Sequence, residues 1–233
     1  MGKVFITGDT HGTLDIDSLL KFNHRRKLTK DDYVIIAGDV GILWSSFTPE
    51  CTSISQRDLD MITLYNNMKF TTLFIDGNHE NHNAFSKFQE EEWNGGKIHR
   101  ISDSVIHLMR GQVYTIHGRK IFTMGGANSI DKEYRIEGIS WWQNELPSYQ
   151  EMNEAVENLI WHHKNVDYIV THDCPTSCLE KILHFRVQKD FLNDFFEYLN
   201  HEIQFKHWYF GHHHLDKKID DLHTVIYQKV KEI

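Results

Sequence analysis

The most regular feature of the chain is a short apolar run that ends in polar residues, and this pattern occurs five times. Each run is rich in Val, Ile, Phe or Tyr and is followed by Asp, His or Asn; the runs begin at Val4, Val34, Leu73, Tyr168 and Trp208. Such runs are typical of β-strands buried on both faces. Because open α/β sheets bind ligands at the carboxyl ends of their strands, we expect the five polar clusters to meet in one crevice.

Helical periodicity fills the intervals before the third, fourth and fifth runs. Apolar residues recur there every three or four positions, as expected for one face of a helix. The helix near residue 149 also has a start signal, because Ser148 is followed three residues later by Glu151. The alternation of strands and helices predicts an α/β fold. The predicted helical faces contain Met61, Ile62, Tyr65 and Met68; Met152, Ala155, Val156, Leu159 and Ile160; and Phe191, Leu192, Phe195, Phe196 and Leu199.

The middle of the chain departs from this alternation. Residues 105–108, 113–116 and 120–124 are short strand-like runs joined by Arg110-Gly111 and His117-Gly118. Tight turns of this kind predict an antiparallel meander, so a mixed or two-sheet core is favoured over a purely parallel one. One or two further strands are predicted around residues 224–227.

Length and composition favour a single domain over residues 1–233. The chain has 233 residues, 40% of them hydrophobic, and its candidate site residues run from Asp9 to His214. No secretory leader and no apolar stretch of membrane-spanning length is apparent, so we predict a cytoplasmic protein without a membrane partner. The three Cys do not make a disulfide framework, and Cys174 and Cys178 are interpreted as ordinary small residues.

The formal net charge of −8 argues against a protein whose main role is to coat nucleic acid. Affinity for nucleic acid comes largely from Lys and Arg against phosphate, so stable nucleic-acid binding is not expected. The pattern predicts no particular oligomeric state.

The polar clusters contain oxygen and imidazole donors without Cys, which suits borderline or hard divalent metals. Asp9 and His11 are two residues apart and can share one ion, whereas Asp39, which follows Gly38, has two oxygens that could bridge two ions. The donors therefore suffice for two ions, and strand alternation directs His213 away from them. The candidate metal ligands are Asp9, His11, Asp39, Asn78, His172, His212 and His214.

The order of these motifs, Asp-x-His, Gly-Asp, Gly-Asn-His-Glu, a lone His and Gly-His-x-His, resembles the calcineurin-like metallophosphoesterase family over almost the whole chain. The resemblance implies a four-layer αββα fold, in which two mixed sheets form a sandwich flanked by helices. It also implies that Asp39 bridges two metals. One metal would be completed by Asp9, His11 and His214, and the other by Asn78, His172 and His212. His79 corresponds to a histidine that assists the leaving oxygen and binds no metal.

The resulting hypothesis is a dinuclear metal-dependent phosphoesterase with a phosphate mono- or diester as substrate. A metal-bridging hydroxide would attack in line, with Asp39 and His79 as catalytic residues. Mn is the favoured metal, and Fe, Zn or Ni are also compatible with these ligands. The alternatives are a nuclease of the same fold, which the acidic charge disfavours, and a catalytically silent metal-bound scaffold, which the presence of His79 disfavours.

One departure from the family pattern indicates which branch of the family the chain resembles. The phosphoprotein phosphatase branch follows its Gly-Asp with an Asp and an Arg that bind phosphate, whereas here Gly38-Asp39 is followed by residues 40–44, Val-Gly-Ile-Leu-Trp. A general bacterial or phage-type phosphoesterase is therefore expected. Arg135 is a candidate phosphate ligand or an ordinary surface residue. Glu80 either orients His79 or a metal ligand, or begins a helix. Substrate specificity is expected to depend on loops 41–60, 88–104 and 129–147.

Overall fold

The computed structural model describes residues 2–183 and 189–233. Within these ranges the chain forms two mixed β-sheets with helices outside them. The strands are β1 Val4–Thr7, β2 Tyr33–Ile36, β3 Thr71–Phe74, β4 Glu90–Trp93, β5 Gly96–Ser102, β6 Val105–Leu108, β7 Gln112–Ile116, β8 Arg119–Met124, β9 Tyr168–Thr171, β10 His207–Phe210, β11 Lys217–Lys218, β12 His223–Val225 and β13 Lys231–Glu232. The helices are α1 Asp17–Arg25, α2 Gln56–Asn66, α3 His82–Phe85, α4 Tyr149–Trp161, α5 Thr176–Leu183 and α6 Phe191–Glu202, with 3-10 turns at Lys132–Tyr134 and Gln143–Glu145.

Both sheets have a parallel centre and antiparallel edges. The first sheet has the order β13-β1-β2-β3-β6-β5-β4, in which β1, β2, β3 and β6 are parallel. The second has the order β11-β12-β10-β9-β8-β7, in which β12, β10, β9 and β8 are parallel. The parallel strands are short and almost fully buried, which explains their continuous Val, Ile and Phe content.

The hydrophobic core lies in three layers, which confirms the predicted αββα sandwich. Ile35 and Leu73 of the first sheet belong to the same buried cluster as Val170 of the second, so the two sheets pack face to face. The outer face of the first sheet packs against α1 and α2, and that of the second against α4, α5 and α6.

The five predicted strands correspond to β1, β2, β3, β9 and β10, and the three predicted helices to α2, α4 and α6. The capping box at the start of α4 is also present. The Ser148 hydroxyl accepts a hydrogen bond from the Glu151 backbone N–H (3.2 Å), and the Glu151 carboxylate accepts one from the Ser148 backbone N–H (2.7 Å). Three short strands, β11, β12 and β13, follow residue 216, where one or two were predicted.

The predicted meander is wrong in one respect, because its first strand belongs to a different sheet from the other two. β7 and β8 form the expected antiparallel hairpin of the second sheet, but β6 pairs in parallel with β3 of the first. All four residues of β6 are buried, and such a strand is more stable inside the parallel array than at an exposed edge. The turn at Gly111 therefore connects two sheets. The chain passes Ala155 of α4 so closely there that a Cβ at Gly111 would approach its Cβ to 2.9 Å.

Residues 88–104, expected to be a loop near the site, contain the β4–β5 hairpin instead. This hairpin forms the edge of the first sheet, and β5 and β6 separate β4 from β3. None of the helices in residues 2–183 and 189–233 combines the length and apolar content needed to cross a membrane.

Candidate metal centre

The seven candidate ligands come together because their strands are neighbours. β1, β2 and β3 lie side by side and in parallel in the first sheet, and β9 and β10 do so in the second. Their carboxyl ends therefore open at the same end of the sandwich. The structure brings Asp9, His11, Asp39, Asn78, His172, His212 and His214 into one crevice between the two sheets.

Asp39 occupies the centre of this crevice and is 1% exposed. Its Oδ2 lies 3.3 Å from Nε2 of His11, and its Oδ1 lies 3.4 Å from Nε2 of His172. Oδ1 also accepts a hydrogen bond from the backbone N–H of His79 (2.8 Å). The two oxygens of one carboxylate thus face two different histidines.

A sharp backbone turn places Asp39 there. Gly38 has φ +93° and Asp39 has φ 50°, both in the left-handed region. A Cβ at Gly38 would collide with the imidazole ring of His172, so glycine is needed both for the turn and for the close approach. The Gly-Asp pair in the sequence is therefore a packing requirement as well as a donor motif.

The first donor group consists of Asp9, His11 and His214. Oδ2 of Asp9 lies 3.8 Å from Nε2 of His214, and the rings of His11 and His214 are 4.9 Å apart. Asp15 accepts a hydrogen bond from Nδ1 of His11 (2.8 Å), which leaves Nε2 directed at Asp39. Tyr227 stacks on the ring of His214 at 4.9 Å. Contacts of this kind fix the orientation of metal-binding imidazoles in proteins.

The second donor group consists of Asn78, His172 and His212. Nδ1 of His172 donates to the carbonyl of Ala37 (2.7 Å), so its Nε2 faces the crevice, 3.1 Å from Oδ1 of Asn78. The Asn78 amide in turn donates to the hydroxyl of Ser129 (3.0 Å), which directs the amide oxygen inward. Asp39, His172 and His212 offer ligand atoms that all lie within 4.8 Å of one another.

The charges in the crevice fit bound cations. Burial raises the pKa of Asp9, His172 lowers it and the neighbouring charge of Asp39 raises it, with a net rise to about 7. Although burial lowers the pKa of His172, the carboxylates of Asp39 and Asp9 raise it to about 10. Oδ2 of Asp9 is a buried acceptor without a hydrogen-bond partner in the described part of the chain. Two buried carboxylates with an unpaired oxygen and inward-facing imidazoles are the donors that divalent metals bind.

His213 lies outside this crevice, as strand alternation predicts. Its Nε2 is 3.3 Å from Oδ1 of Asp173 and 3.5 Å from Sγ of Cys174. Asp173, Cys174 and His213 form a further cluster of donor atoms, and Cys178, Asp220 and His223 form another. Both cysteines are buried in the core outside the second sheet. In the first cluster Asp173 accepts a hydrogen bond from the backbone N–H of Cys174, and in the second Asp220 is hydrogen-bonded to His223. These contacts agree with the interpretation of both cysteines as ordinary core residues.

His79 points into the same region without joining either donor group. Its ring lies 5.9 Å from that of His11, and Nη1 of Arg135 lies 3.1 Å from its Nδ1. Arg135 is itself held by two hydrogen bonds of 2.7 Å to the carboxylate of Asp131. An arginine N–H is always a donor, so Nδ1 of His79 accepts and a neutral ring carries its proton on Nε2. Burial lowers the pKa of His79, and the charge of Arg135 lowers it further against that of Asp39.

Glu80 supports the loop that carries Asp39. Its carboxylate accepts a hydrogen bond from the backbone N–H of Val40 (2.6 Å). Burial, reinforced by the charge of Asp39, raises its pKa to about 8. Of the two interpretations, the contact with the backbone next to Asp39 favours orientation of a candidate ligand. Glu80 does not begin a helix, because α3 begins two residues later with Asn81 as its N-cap.

Three residues that the sequence did not single out shape the rim of the crevice. Arg57 and Trp44 line a pocket next to His11 and His79. Asp58 is fully buried and accepts hydrogen bonds from the backbone N–H groups of residues 44, 45 and 46. No short motif marks these residues, because they reach the site through the packing of α2 against the 41–47 segment.

A two-sheet α/β sandwich with Asp, Asn and His donors at its strand ends is an arrangement suited to holding divalent metals for hydrolytic chemistry. The sequence profile described as calcineurin-like phosphoesterase matches residues 2–216. The chain therefore belongs to the calcineurin-like phosphoesterase family, a family of metal-dependent phosphoester hydrolases.

The chain is also similar to lariat debranching enzyme A from Xenopus laevis, with 25% identity over 243 residues. This alignment covers 91% of the present chain and 43% of the Xenopus protein, so the chain spans less than half the length of that curated relative.

Proposed function

We propose that this chain hydrolyses phosphate esters at a centre of two divalent metal ions. Asp9, His11 and His214 would hold one ion, Asn78, His172 and His212 the other, and Asp39 both. When bound, the ions would lower the pKa of a water held between them and neutralise charge on the phosphoryl oxygens. Mn is the favoured metal for this ligand set, with Fe, Zn and Ni as competitors.

The observation that carries the proposal is the orientation of Asp39. Its two carboxylate oxygens face different histidines, Oδ2 towards His11 at 3.3 Å and Oδ1 towards His172 at 3.4 Å. A carboxylate that served one ion only would not need a separate imidazole at each oxygen. This arrangement supports the bridging role.

His79 is the proposed proton donor to the leaving oxygen. Arg135 donates to its Nδ1, which favours the tautomer that carries a proton on Nε2. The Nε2–H would donate a hydrogen bond to the leaving oxygen as negative charge develops there in the transition state. Arg135 accordingly acts through His79 in this proposal, because most of its donors are engaged by Asp131, Ser140 and His79. The alternative role, a direct phosphate ligand, is distinguished from this one by the Arg135→Gln variant.

The test is metal-dependent turnover by purified protein. After treatment with EDTA, the protein is supplied separately with Mn, Fe, Zn or Ni and assayed with p-nitrophenyl phosphate and bis(p-nitrophenyl) phosphate. We expect turnover of at least one ester to return with metal, with two ions bound per chain by elemental analysis. Absence of turnover with every metal would contradict the proposal, and one bound ion would contradict the dinuclear centre.

A nuclease is the second candidate, and the similarity to lariat debranching enzyme A is the observation that favours it. Single-stranded DNA and a lariat substrate, assayed beside the chromogenic esters, separate the two functions. The catalytically silent scaffold is the third candidate. It predicts metal binding without turnover of any of these substrates.

A further inference from the structure

A pocket of about 350 Å³ opens beside His11 and His79. Leu14, Trp44 and Arg57 also line it, and none of them belongs to the proposed metal centre or to the proton donor. A cavity of this size is in the range of small-molecule sites. The part of the substrate that extends beyond the phosphate would enter this pocket.

Arg57 presents a pre-oriented cation to the pocket. Its Nη1 donates to the carbonyl oxygens of Gly41 (2.7 Å) and Ile42 (3.3 Å) and to the carboxylate of Asp58 (2.9 Å), and these three acceptors anchor one corner of the guanidinium. Its Nη2 lies against Gly12, where an added Cβ would come within 2.7 Å of it. Within residues 2–183 and 189–233, Nε and Nη2 make no hydrogen bond. Their N–H groups remain to bind an anion next to His11.

Trp44 presents a fixed aromatic surface in the same pocket. Its backbone N–H donates to Asp58 (3.0 Å), and its carbonyl accepts from the amide of Asn81 (3.3 Å). Its half-buried indole packs against the ring of Trp142 with centroids 5.3 Å apart and planes at 79°. An indole held in this way stacks on a planar ring with little loss of side-chain entropy.

We propose that Trp44 and Arg57 form a subsite that selects phosphate esters carrying a nucleoside-like aromatic group. The base stacks on Trp44, and Arg57 binds a non-bridging phosphate oxygen. This inference rests on the proposed function, since it assumes that the phosphate occupies the metal centre.

The pocket fits one nucleotide unit better than a long strand. A long nucleic acid requires a track of Lys and Arg along its backbone, whereas the chain has a net charge of −8. The pocket itself contains only two arginines in the described part of the chain, Arg57 and Arg135, and each is already paired with a carboxylate, Arg57 with Asp58 and Arg135 with Asp131. Leu14 is 82% exposed and adds apolar surface suited to a base or sugar.

The test compares two phosphate esters that differ only in the organic group, thymidine 5′-monophosphate and methyl phosphate. Their dissociation constants for the Mn-supplemented protein are measured by isothermal titration calorimetry. We expect thymidine 5′-monophosphate to bind at least about ten-fold more tightly, as the usual strength of base stacking on an aromatic side chain implies. Equal affinities would overturn the subsite.

Substitutions separate the two contributions, which are selectivity for the aromatic group at Trp44 and affinity for the shared phosphate at Arg57. Trp44→Leu should lower the affinity ratio about ten-fold, and Trp44→Phe, which retains a ring, should preserve most of it. The matched control is Trp161→Leu, since Trp161 is 81% exposed at the end of α4 and should leave the ratio unchanged. An unaltered ratio in Trp44→Leu would contradict the proposal.

Arg57→Gln should weaken both ligands about ten-fold, because a hydrogen bond from a charged donor is lost from the phosphate. Arg57→Lys should lose less, and the exposed Arg25→Gln is the control. Equal binding by wild type and Arg57→Gln would remove Arg57 from the subsite. If the affinity differences are found but no ester is hydrolysed, the proposed hydrolysis is wrong and the subsite stands.

Discussion

Arg135→Gln should slow the hydrolysis of esters with poor leaving groups much more than that of esters with good ones. Nη1 of Arg135 donates to Nδ1 of His79 at 3.1 Å, and this contact favours the His79 tautomer that has a proton to give. A weakly acidic leaving alcohol needs this proton in the transition state, whereas p-nitrophenolate leaves without it. The variant therefore separates a role through His79 from direct binding of phosphate.

The magnitude follows from the contacts of the guanidinium. Asp131 holds Arg135 by two hydrogen bonds of 2.7 Å, and the carbonyl of Ser140 accepts a third at 3.2 Å, so the donor to His79 is fixed in position. A hydrogen bond from a charged donor contributes about 1.5–3 kcal/mol, which corresponds to roughly ten- to 150-fold in rate. We expect a loss of kcat in this range for an alkyl or phenyl ester, and at most about three-fold for a p-nitrophenyl ester.

The assay is the dependence of kcat on leaving-group pKa across a series of aryl methyl phosphates. It is measured for wild type, Arg135→Gln, His79→Asn and the double variant, with Arg25→Gln as an exposed arginine control. If Arg135 acts through His79, the slope becomes steeper in both single variants. The double variant should then be no worse than His79→Asn, because the effects of coupled residues do not add.

Two results would refute this reasoning. An equal loss of kcat across the series would mean that Arg135 stabilises the phosphoryl group itself, as a direct phosphate ligand would. Additive losses in the double variant would mean that Arg135 and His79 act independently.

Three further predictions concern the metal centre and the scaffold. Asp39→Asn should remove at least one bound metal and abolish turnover, measured by elemental analysis and ester hydrolysis; full activity would exclude the bridging role. Asp58→Ala should lower the free energy of unfolding in urea by about 3 kcal/mol, because buried N–H groups of residues 44–46 lose their acceptor, whereas the exposed Asp60→Ala should have little effect. Ser148→Ala should cost about 1 kcal/mol in the same experiment, and a loss near zero would show that the cap of α4 adds nothing to stability.

The parts of the fold that the sequence predicted are those in which local pattern and tertiary packing agree. β1, β2, β3, β9 and β10 are short buried strands, and their Val, Ile and Phe content is visible without any knowledge of the neighbours. The same holds for α4, whose Ser148 cap is a local signal. β6 could not be assigned to its sheet in this way, since its own sequence suits either the β7–β8 hairpin or the parallel array beside β3. The choice depends on burial by distant strands.

The residues of the candidate site also fall into two groups, those that local sequence identifies and those that only tertiary packing identifies. The donors at the strand ends could be found because each follows its strand within a few residues, and Asp15 is also recognisable as a partner four residues after His11. Arg57 and Trp44 could not be found from the sequence, because contacts with residues distant in the chain place them in the pocket. The position of Trp44 depends on Asp58 in α2 and on Trp142, ninety-eight residues away by sequence numbering. Each metal-donor residue is therefore recognisable from the few residues around it. The residues that line the pocket are placed by contacts with distant parts of the chain, so their own neighbours in sequence do not reveal them.

Backbone strain occurs at several of the candidate ligands, as it does at turns elsewhere in the described part of the chain. Four of the candidate ligands, His11, Asp39, His212 and His214, have positive φ values of 44°, 50°, 66° and 49°. For residues other than Gly this conformation costs about 1–2 kcal/mol each, and a sequence selected only for stability would place Gly or Asn at these positions. The strain is maintained by the buried parallel strands on either side, which hold the loop ends in fixed register. In this conformation the side chains of these four residues reach the crevice, so the stability lost at the loops accompanies the geometry of the candidate site, and the buried sandwich offsets that loss.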